Sequence, residues 1–546
     1  MTPNLRPGSS NGPWAGSSKE PAAPSDRRIL LSGTMQNVAG LAVAGIALLV
    51  VQILSSRVLG PSGYGAVSVL TQAAFVASFA TRAGMDMVVV REVAIGVGEG
   101  RSERTRAAVA HAVAIAGGVS VLAVLALLAA RGSIEEWLSL PPAVGHWALP
   151  AAALSLPFIA ITNVWLGATR GLRIMSYTLF VFWAGQNLTW ILFSLLLWAR
   201  WVTPDASVAA YTLSWVWAAG AAAWAWRRES QRWPVEPPEP GWFGRVFRYA
   251  APRAPAALFA QLLFWTDLFV VTRYVGDDAV GVYSAVLRIA QIMGLFLVSV
   301  NLIFAPFVAD LHARGERDRL DDLFKNLTRW IVASTLPLLL IVVLATGETL
   351  ALFGDDFSGG RTALLIVLVG QFVNAATGGG GLVLIMVGRT GWDLAVYGGS
   401  LLLNLSLAFA LCPEHGIVGA AIANAVTFAL SNAARLALVR HFVGIQPYDT
   451  RYWRLAPAAL VGGLAGWAAH TFTPGGELSV LLATGAAATV LFGAGLVAFG
   501  LMPHERRALG RAARGLLSGR PAPAFSGDEP FPEQPGPQHS GRTDER

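Results

Sequence analysis

Apolar residues run in blocks of about 20 along most of this chain, and short polar breaks rich in Gly, Pro and Arg separate them. A helix rises 1.5 Å per residue, so a block of that length crosses the hydrocarbon core of a bilayer. Fourteen blocks can be marked, at 33–57, 65–90, 107–130, 147–169, 178–199, 208–226, 251–273, 281–309, 330–353, 361–388, 395–412, 418–439, 455–472 and 479–502. The tenth is interrupted by Gly378–Gly381 and reads as one span or two short pieces. The pattern predicts an all-α polytopic membrane protein of about 14 transmembrane helices.

Composition agrees. Of 546 residues, 54% are hydrophobic and 13% are charged, and mean hydropathy is +0.54. Soluble domains carry about 25% charged residues. The net charge of +7 does not mark a nucleic-acid binder, because its placement follows the membrane. With both termini cytoplasmic, 31 of the 40 Lys and Arg fall on the cytoplasmic side. Five border the opposite turns (Arg57, Arg131, Arg200, Arg273 and Arg361) and four lie inside spans (Arg82, Arg253, Arg288 and Arg435). This positive-inside asymmetry predicts the orientation. Only Lys19 and Lys325 are lysines, a usage that points to high-GC coding and a bacterial cytoplasmic (inner) membrane. Cys412 is the single cysteine, no Cys/His cluster suggests a metal, and no nucleotide motif occurs, so neither cofactor nor bound ATP is expected.

Residues 1–28 are rich in Pro, Gly and Ser and read as a disordered cytoplasmic arm. At the other end, 503–546 reads as a basic amphipathic helix (504–517) on anionic membrane lipids, followed by a disordered tail. Between them stands an internal repeat. RVLGPSGYGAVS at 57–68 and RYVGDDAVGVYS at 273–284 share Arg, Gly, Gly and Ser at a constant offset of 216. Six spans separate the copies, which makes the halves parallel in topology, a common plan for transporters with a site between halves. The reading is therefore an N-lobe of helices 1–6 (29–226), a cytoplasmic linker (227–250), a C-lobe of helices 7–12 (251–442) and a terminal helix pair (455–502). In the linker, Trp242, Phe243, Phe247 and Tyr249 predict an amphipathic lead-in helix.

The stretch RVLGPSGYGAVSVLTQAAFVASFATRAGMDMVVVRE resembles the first loop and second helix of bacterial polysaccharide (Wzx-type) flippases, within the multidrug/oligosaccharidyl-lipid/polysaccharide exporter superfamily. GATRGLRIMSYTLF (167–180), VGDDAVGVYSAVLRIAQ and GIVGAAIANAVT (416–427) are similar to other family segments, and the likeness covers about 29–502. It implies two six-helix lobes around a central cavity. The implied activity is movement of a polyprenyl-pyrophosphate-linked oligosaccharide from the inner to the outer leaflet by alternating access, for cell-surface polysaccharide synthesis. It also implies a transporter that is not an enzyme, with contacts to polysaccharide-synthesis proteins as a further expectation.

A wet cationic cavity needs polar residues on one helix face. Gln72, Phe75, Phe79, Arg82 and Asp86 are spaced 3, 4, 3 and 4 apart and predict one stripe on span two. Ser284, Arg288 and Gln291 repeat the pattern on span eight, where Arg288 corresponds to Gln72. Arg253 and Gln261 on span seven complete the substrate-cavity candidates. For each arginine the plainer reading is pairing with a neighbour, as Arg82 with Asp86, or anchoring at the interface, as for Arg253 and Arg435. Asp86 and Asp267 are the candidate coupling carboxylates for H+ or Na+, and Asp267 could instead pair with Arg288. Intramembrane Asn and Gln residues, among them Gln186, Asn187, Asn374, Asn404, Asn424 and Asn432, read mainly as interhelical glue. Hinges are expected at Pro252, Pro255, Pro337 and the glycine run.

Two other readings stay open. One is a cation-coupled small-molecule or lipid II exporter of the same fold. It is weakened because 33–57 holds no Asp or Glu, where drug exporters of the superfamily often place one. The other is a membrane polysaccharide polymerase or glycosyltransferase, which the short Arg131–His146 loop disfavours.

Overall fold

The computed structural model describes residues 26–98, 102–138, 144–231, 233–234, 241–250, 253–502 and 505–506. Residues 1–36 with 511–546 and residues 37–510 form two compact units. Of the first, only the helical 26–36 is described, and all contacts below lie in the second. The expected arm, the amphipathic stretch beyond Arg506 and the tail lie outside the described residues.

The described chain is helical throughout, without strands among the described residues. In order it forms α1 (Asp26–Thr81), α2 (Met85–Gly98), α3 (Ser102–Ala129), the short α4 (Arg131–Leu138) and α5 (Ala148–Gly171). Next come α6 (Gln186–Trp198), entered through a π-helical turn over Thr178–Gly185, and α7 (Pro204–Ser230). After the linker come α8 (Trp242–Ala250), α9 (Arg253–Tyr274), α10 (Asp277–Ala313), α11 (Arg317–Leu344), α12 (Thr346–Ala351), α13 (Arg361–Ala376) and α14 (Gly380–Met386). The last are α15 (Thr390–Phe442), α16 (Leu455–Phe472) and α17 (Glu477–Gly495). Among the described residues, ten helices are long and apolar enough to cross a membrane. Two of these, α1 and α15, are each a pair of helices joined at a glycine, Gly60 (φ 68°) and Gly416 (φ 55°). Exposed Trp137, Trp147 and Trp201 sit in or beside the connections at one end of the helices, and Trp392 and Trp453 at the other. That is how indole rings distribute at the two interfaces of a bilayer.

Helices before the linker pack among themselves, α5 on α2, α3 and α7, and α6 on α7. Helices after it do likewise, with α15 against α9, α13 and α14, and α10 against α11 and α13. The pair α16–α17 packs on α11. The repeat is visible in helix lengths. Its second copy is the unbroken α10, and its first is the second arm of α1 (61–81) followed by α2. The first copy breaks at Ala83 (φ 49°) and Gly84 (φ 72°), where the Gly84 backbone meets Ala250 and Ala254. Span two is thus not the single helix over 65–90 that the periodicity predicts. Span ten is also divided, between α13 and α14 at the glycine run, whereas α11 passes through Pro337 without interruption.

The two halves meet most closely at the two repeat turns, apart from the approach of Gly84 to Ala254 on α9. A Cβ on Gly65 would lie 2.7 Å from the Gly281 nitrogen, and one on Gly281 would lie 1.9 Å from the Pro61 carbonyl oxygen. Equivalent glycines of the two copies therefore pack backbone against backbone, the approach that small residues allow between membrane helices. Around them Arg57 donates to the Leu352 and Ala351 carbonyls at 2.8 Å each, and Ser56 donates to the Phe353 carbonyl at 2.8 Å. These carbonyls lie at and just beyond the C-terminal end of α12, where the helix dipole favours a cation. The Tyr64 ring packs edge-on against Phe357 at 6.0 Å and beside Phe353 at 6.1 Å.

Gly281→Ala should lower the Tm of the purified protein by several degrees, because overpacking costs about 1–3 kcal/mol. Gly118→Ala, whose Cβ would meet nothing within 4 Å, should not. Equal melting of the two variants would show that the close approach carries no weight.

Candidate functional site

The contact at Gly65 and Gly281 sets which faces of α1 and α10 look toward the other half. Seven residues is two helical turns, so Gln72 and Arg288 stand on those faces about 10 Å below the glycines. Both are buried, Gln72 at 6% and Arg288 at 5% exposure.

Arg288 is the unusual member. Its Nη1 donates to Gln291 Oε1 at 3.2 Å, and its guanidinium lies over the Trp265 ring at 4.7 Å. Its Nε and Nη2 are buried without a hydrogen-bond partner. Among the described residues no carboxylate pairs with it. A buried cation in that condition carries a desolvation penalty of several kcal/mol.

Arg82 is different. Its Nη1 pairs with Asp86 Oδ2 at 3.3 Å, its Nε donates to the Ser78 carbonyl at 3.1 Å, and the guanidinium sits 3.8 Å over the Phe79 ring. The i, i+4 pairing is present, but across the helix break: Asp86 belongs to the first turn of α2, not to the stripe. It is seated there by α5, whose Gly167 and Gly171 lie so close to α2 that a Cβ would come 2.6 Å from the Asp86 carbonyl oxygen and 2.7 Å from Val93 Cβ.

Asp267 does not pair with Arg288. It accepts from the Tyr283 hydroxyl at 2.6 Å, Asn424 Nδ2 at 2.8 Å and the Leu268 nitrogen at 3.0 Å, and is fully buried. Tyr283 brings α10, and Asn424 the second arm of α15, to this carboxylate on α9. Nearby on the same arm, Asn424 Oδ1 and Thr427 Oγ1 have no partner, nor do Asn404 Oδ1 and Nδ2 on the first arm. No group of three or more metal-ligating side chains of the His, Cys, Asp and Glu kind occurs among the described residues.

Arg435 is not an interface anchor. It is 7% exposed and pairs with Asp393 Oδ1 at 3.2 Å, with Ser431 at 3.0 Å and the Tyr397 ring at 4.2 Å. Gly381 makes room for that pair, since a Cβ there would touch both partners at 3.0–3.2 Å. Of the remaining candidates, Gln261 is half-buried on α9, and the side chain of Arg253 lies outside the described residues, as do those of Trp242, Phe243 and Tyr249. Helix α8 does form, with Phe247 exposed. Several amides act as the expected glue: Gln186 donates to Ser214 at 3.0 Å and Asn432 to Asn374 at 3.1 Å.

Solved structures with this fold are membrane transporters. A multidrug resistance MATE family transporter of the MOP superfamily, inward-facing, superposes with TM-score 0.63 at 14% identity, over 77% of this chain and 98% of the other. The lipid II flippase MurJ, in an inward closed conformation, gives 0.65 at 12% identity over 83% and 98%. A MOP superfamily transporter from Pyrococcus furiosus gives 0.58 at 14% identity over 77% and 96%. At these identities the likeness is one of fold. In sequence, the chain is 23% identical over 228 residues to a probable low-salt glycan biosynthesis flippase, Agl15, of Haloferax volcanii. That match covers 40% of this chain and 47%, about half, of the relative. The MatE family pattern matches residues 252–410. The pattern of the polysaccharide biosynthesis protein family matches residues 31–312. That is more than half of the chain, and it includes the first turn, the second and the helix that carries Arg288: the chain belongs to the polysaccharide biosynthesis protein family.

Proposed function

We propose that the protein is a transporter, not an enzyme, that carries a polyprenyl-pyrophosphate-linked oligosaccharide from the cytoplasmic to the periplasmic leaflet by alternating access. The observation that carries this reading is Arg288, a buried guanidinium without a carboxylate on the face of α10 that looks toward the other half. An ionised group inside a membrane domain is costly and survives where function uses it. A pyrophosphate supplies the charge and the oxygen acceptors that Arg288 lacks. The name of the haloarchaeal relative and the polysaccharide family match support the same substrate class.

In this reading the chain crosses the inner membrane fourteen times, once for each arm of α1 and α15, in two six-helix lobes and a terminal pair. The Lys and Arg excess supports an orientation with both termini in the cytoplasm and the two glycine turns at the periplasmic face. The lobes touch there, so the arrangement is closed to the periplasm. By the repeat offset, Arg82 corresponds to residue 298, ten residues and about 15 Å further from the turns than Arg288. One head group does not reach both. The Arg82–Asp86 pair then stands toward the cytoplasmic end, where the substrate enters.

Asp267 is the coupling carboxylate in this scheme. Its donors are uncharged, and unpartnered amide and hydroxyl oxygens stand on the neighbouring helix arm, a setting suited to a proton or Na+. Asp86, already engaged with Arg82, is the weaker candidate.

In proteoliposomes, Arg288→Ala should reduce translocation of an undecaprenyl-pyrophosphate-linked oligosaccharide at least about tenfold, while Arg288→Lys should retain part of it. Unchanged transport in Arg288→Ala would refute the assignment. Asp267→Asn should leave substrate binding in place and abolish any acceleration by an imposed Na+ or proton gradient. A variant that still responds to the gradient would remove Asp267 from the coupling role.

A further inference from the structure

The environment of Arg288 holds more than one unanswered donor. Tyr64 lies close enough to Arg288 and to Ser68 for their polar groups to interact. Its hydroxyl, however, donates to Gln52 Oε1 at 3.1 Å. That leaves Gln52 Nε2, Ser68 Oγ, Arg288 Nε and Arg288 Nη2 buried without partners. Gln52 comes from the first arm of α1, Tyr64 and Ser68 from the second, and Arg288 from α10 of the other half. All four residues are buried, none more than 5% exposed.

The chemistry of this cluster is one-sided. Gln52 Oε1 is taken by Tyr64, and the acceptors beside Arg288 are both neutral, the Gln291 oxygen and the Tyr64 hydroxyl oxygen. Asp267, the carboxylate on the adjoining α9, is occupied by three donors of its own. What remains is one positive charge, three N–H-bearing nitrogens and a hydroxyl. Orphaned donors of this kind are costly to keep buried. Water can accept from some of them but cannot neutralise the charge. A group with several oxygens and a negative charge does both, and the planar guanidinium fork fits a phosphate in two-point contact.

We propose that the seam between the halves is a phosphate receptor built from both of them: Arg288 on one side, with Gln52, Tyr64 and Ser68 on the other. The proposal rests on the transport reading for the source of the phosphate, a lipid pyrophosphate. Free pyrophosphate has the same chemistry.

The position of the receptor gives it a second consequence. Tyr64 precedes Gly65, which touches Gly281, and its ring packs on Phe353 and Phe357 of the opposite half. The receptor atoms are therefore part of the seal. A phosphate settling among them parts Tyr64 from Arg288 and so binds more tightly to a state in which the seal is loosened. A ligand shifts an equilibrium by its differential affinity for the two states. Arrival of the head group thus favours opening at the glycine turns.

The test uses the full chain in nanodiscs with Cys412→Ala and a reporter, Ser284→Cys. Ser284 is fully buried one turn below Gly281, and its hydroxyl bonds only within its own helix, to the Val280 carbonyl. Labelling by a membrane-impermeant maleimide reads opening of the seal. Undecaprenyl pyrophosphate should raise the labelling rate at least about fivefold, and undecaprenol should not. Gln52→Leu combined with Ser68→Ala, which leaves Arg288 in place and keeps the core apolar, should raise the concentration needed about tenfold. Arg288→Gln should abolish the response.

If inorganic pyrophosphate acts like the lipid, the receptor reads phosphate alone. If only the lipid acts, phosphate reaches it on a prenyl tail. Either result supports the proposal. An equal response to undecaprenol, or no loss of sensitivity in the Gln52→Leu/Ser68→Ala variant, overturns it. An intact pyrophosphate response in protein that translocates no lipid-linked oligosaccharide would refute the transport reading and leave the receptor standing.

Discussion

Backbone touching backbone at Gly65 and Gly281 is the constraint on which the rest of the arrangement depends. No side chain fits between these residues, since a Cβ on Gly281 would fall 1.9 Å from the Pro61 oxygen. Because the contact is made by equivalent residues of the two repeats, it fixes the rotation of both helices at once. Two turns further on, Gln72 and Arg288 face the same seam. The Arg57 and Ser56 bonds to the end of α12 hold the approach from the side.

Among the buried charged residues described, all but two follow one rule. In a low-dielectric bundle an ionised side chain needs an opposite charge. Arg82 has Asp86, Arg435 has Asp393, and Arg329 has Glu505, which ties the segment after α17 to α11. Arg288 and Asp267 break the rule. They lie on adjoining helices and do not pair: Asp267 is held by a hydroxyl and amides, and Arg288 by one amide and an indole face. A protein that spent its buried charges only on stability would have joined them. Keeping them apart leaves one site that wants an anion and another that tolerates a cation or a proton.

The site was partly legible in the chain itself. Arg82 and Asp86 read as a pair from their spacing, and they are one. The break between them was not read, although Ala83–Gly84 is the place where a left-handed turn is available. Arg435 read as an interface anchor because its partner, Asp393, is 42 residues away on the other arm of the same kinked helix. Tyr64 and Gln52 were not singled out as site residues, since a tyrosine in a glycine turn and a glutamine in an apolar run look like packing and glue.

Hydrophobic period and arginine placement belong to the sequence alone, because lipid imposes them residue by residue without reference to a partner. They determined that the chain is a helical membrane protein, and the 216-residue repeat determined that it is built twice over. Which arginine stays unpaired was decided only in three dimensions. Neutralising a buried charge depends on which helices are neighbours and at what rotation, and that follows from the glycine contact between halves rather than from any local run of residues.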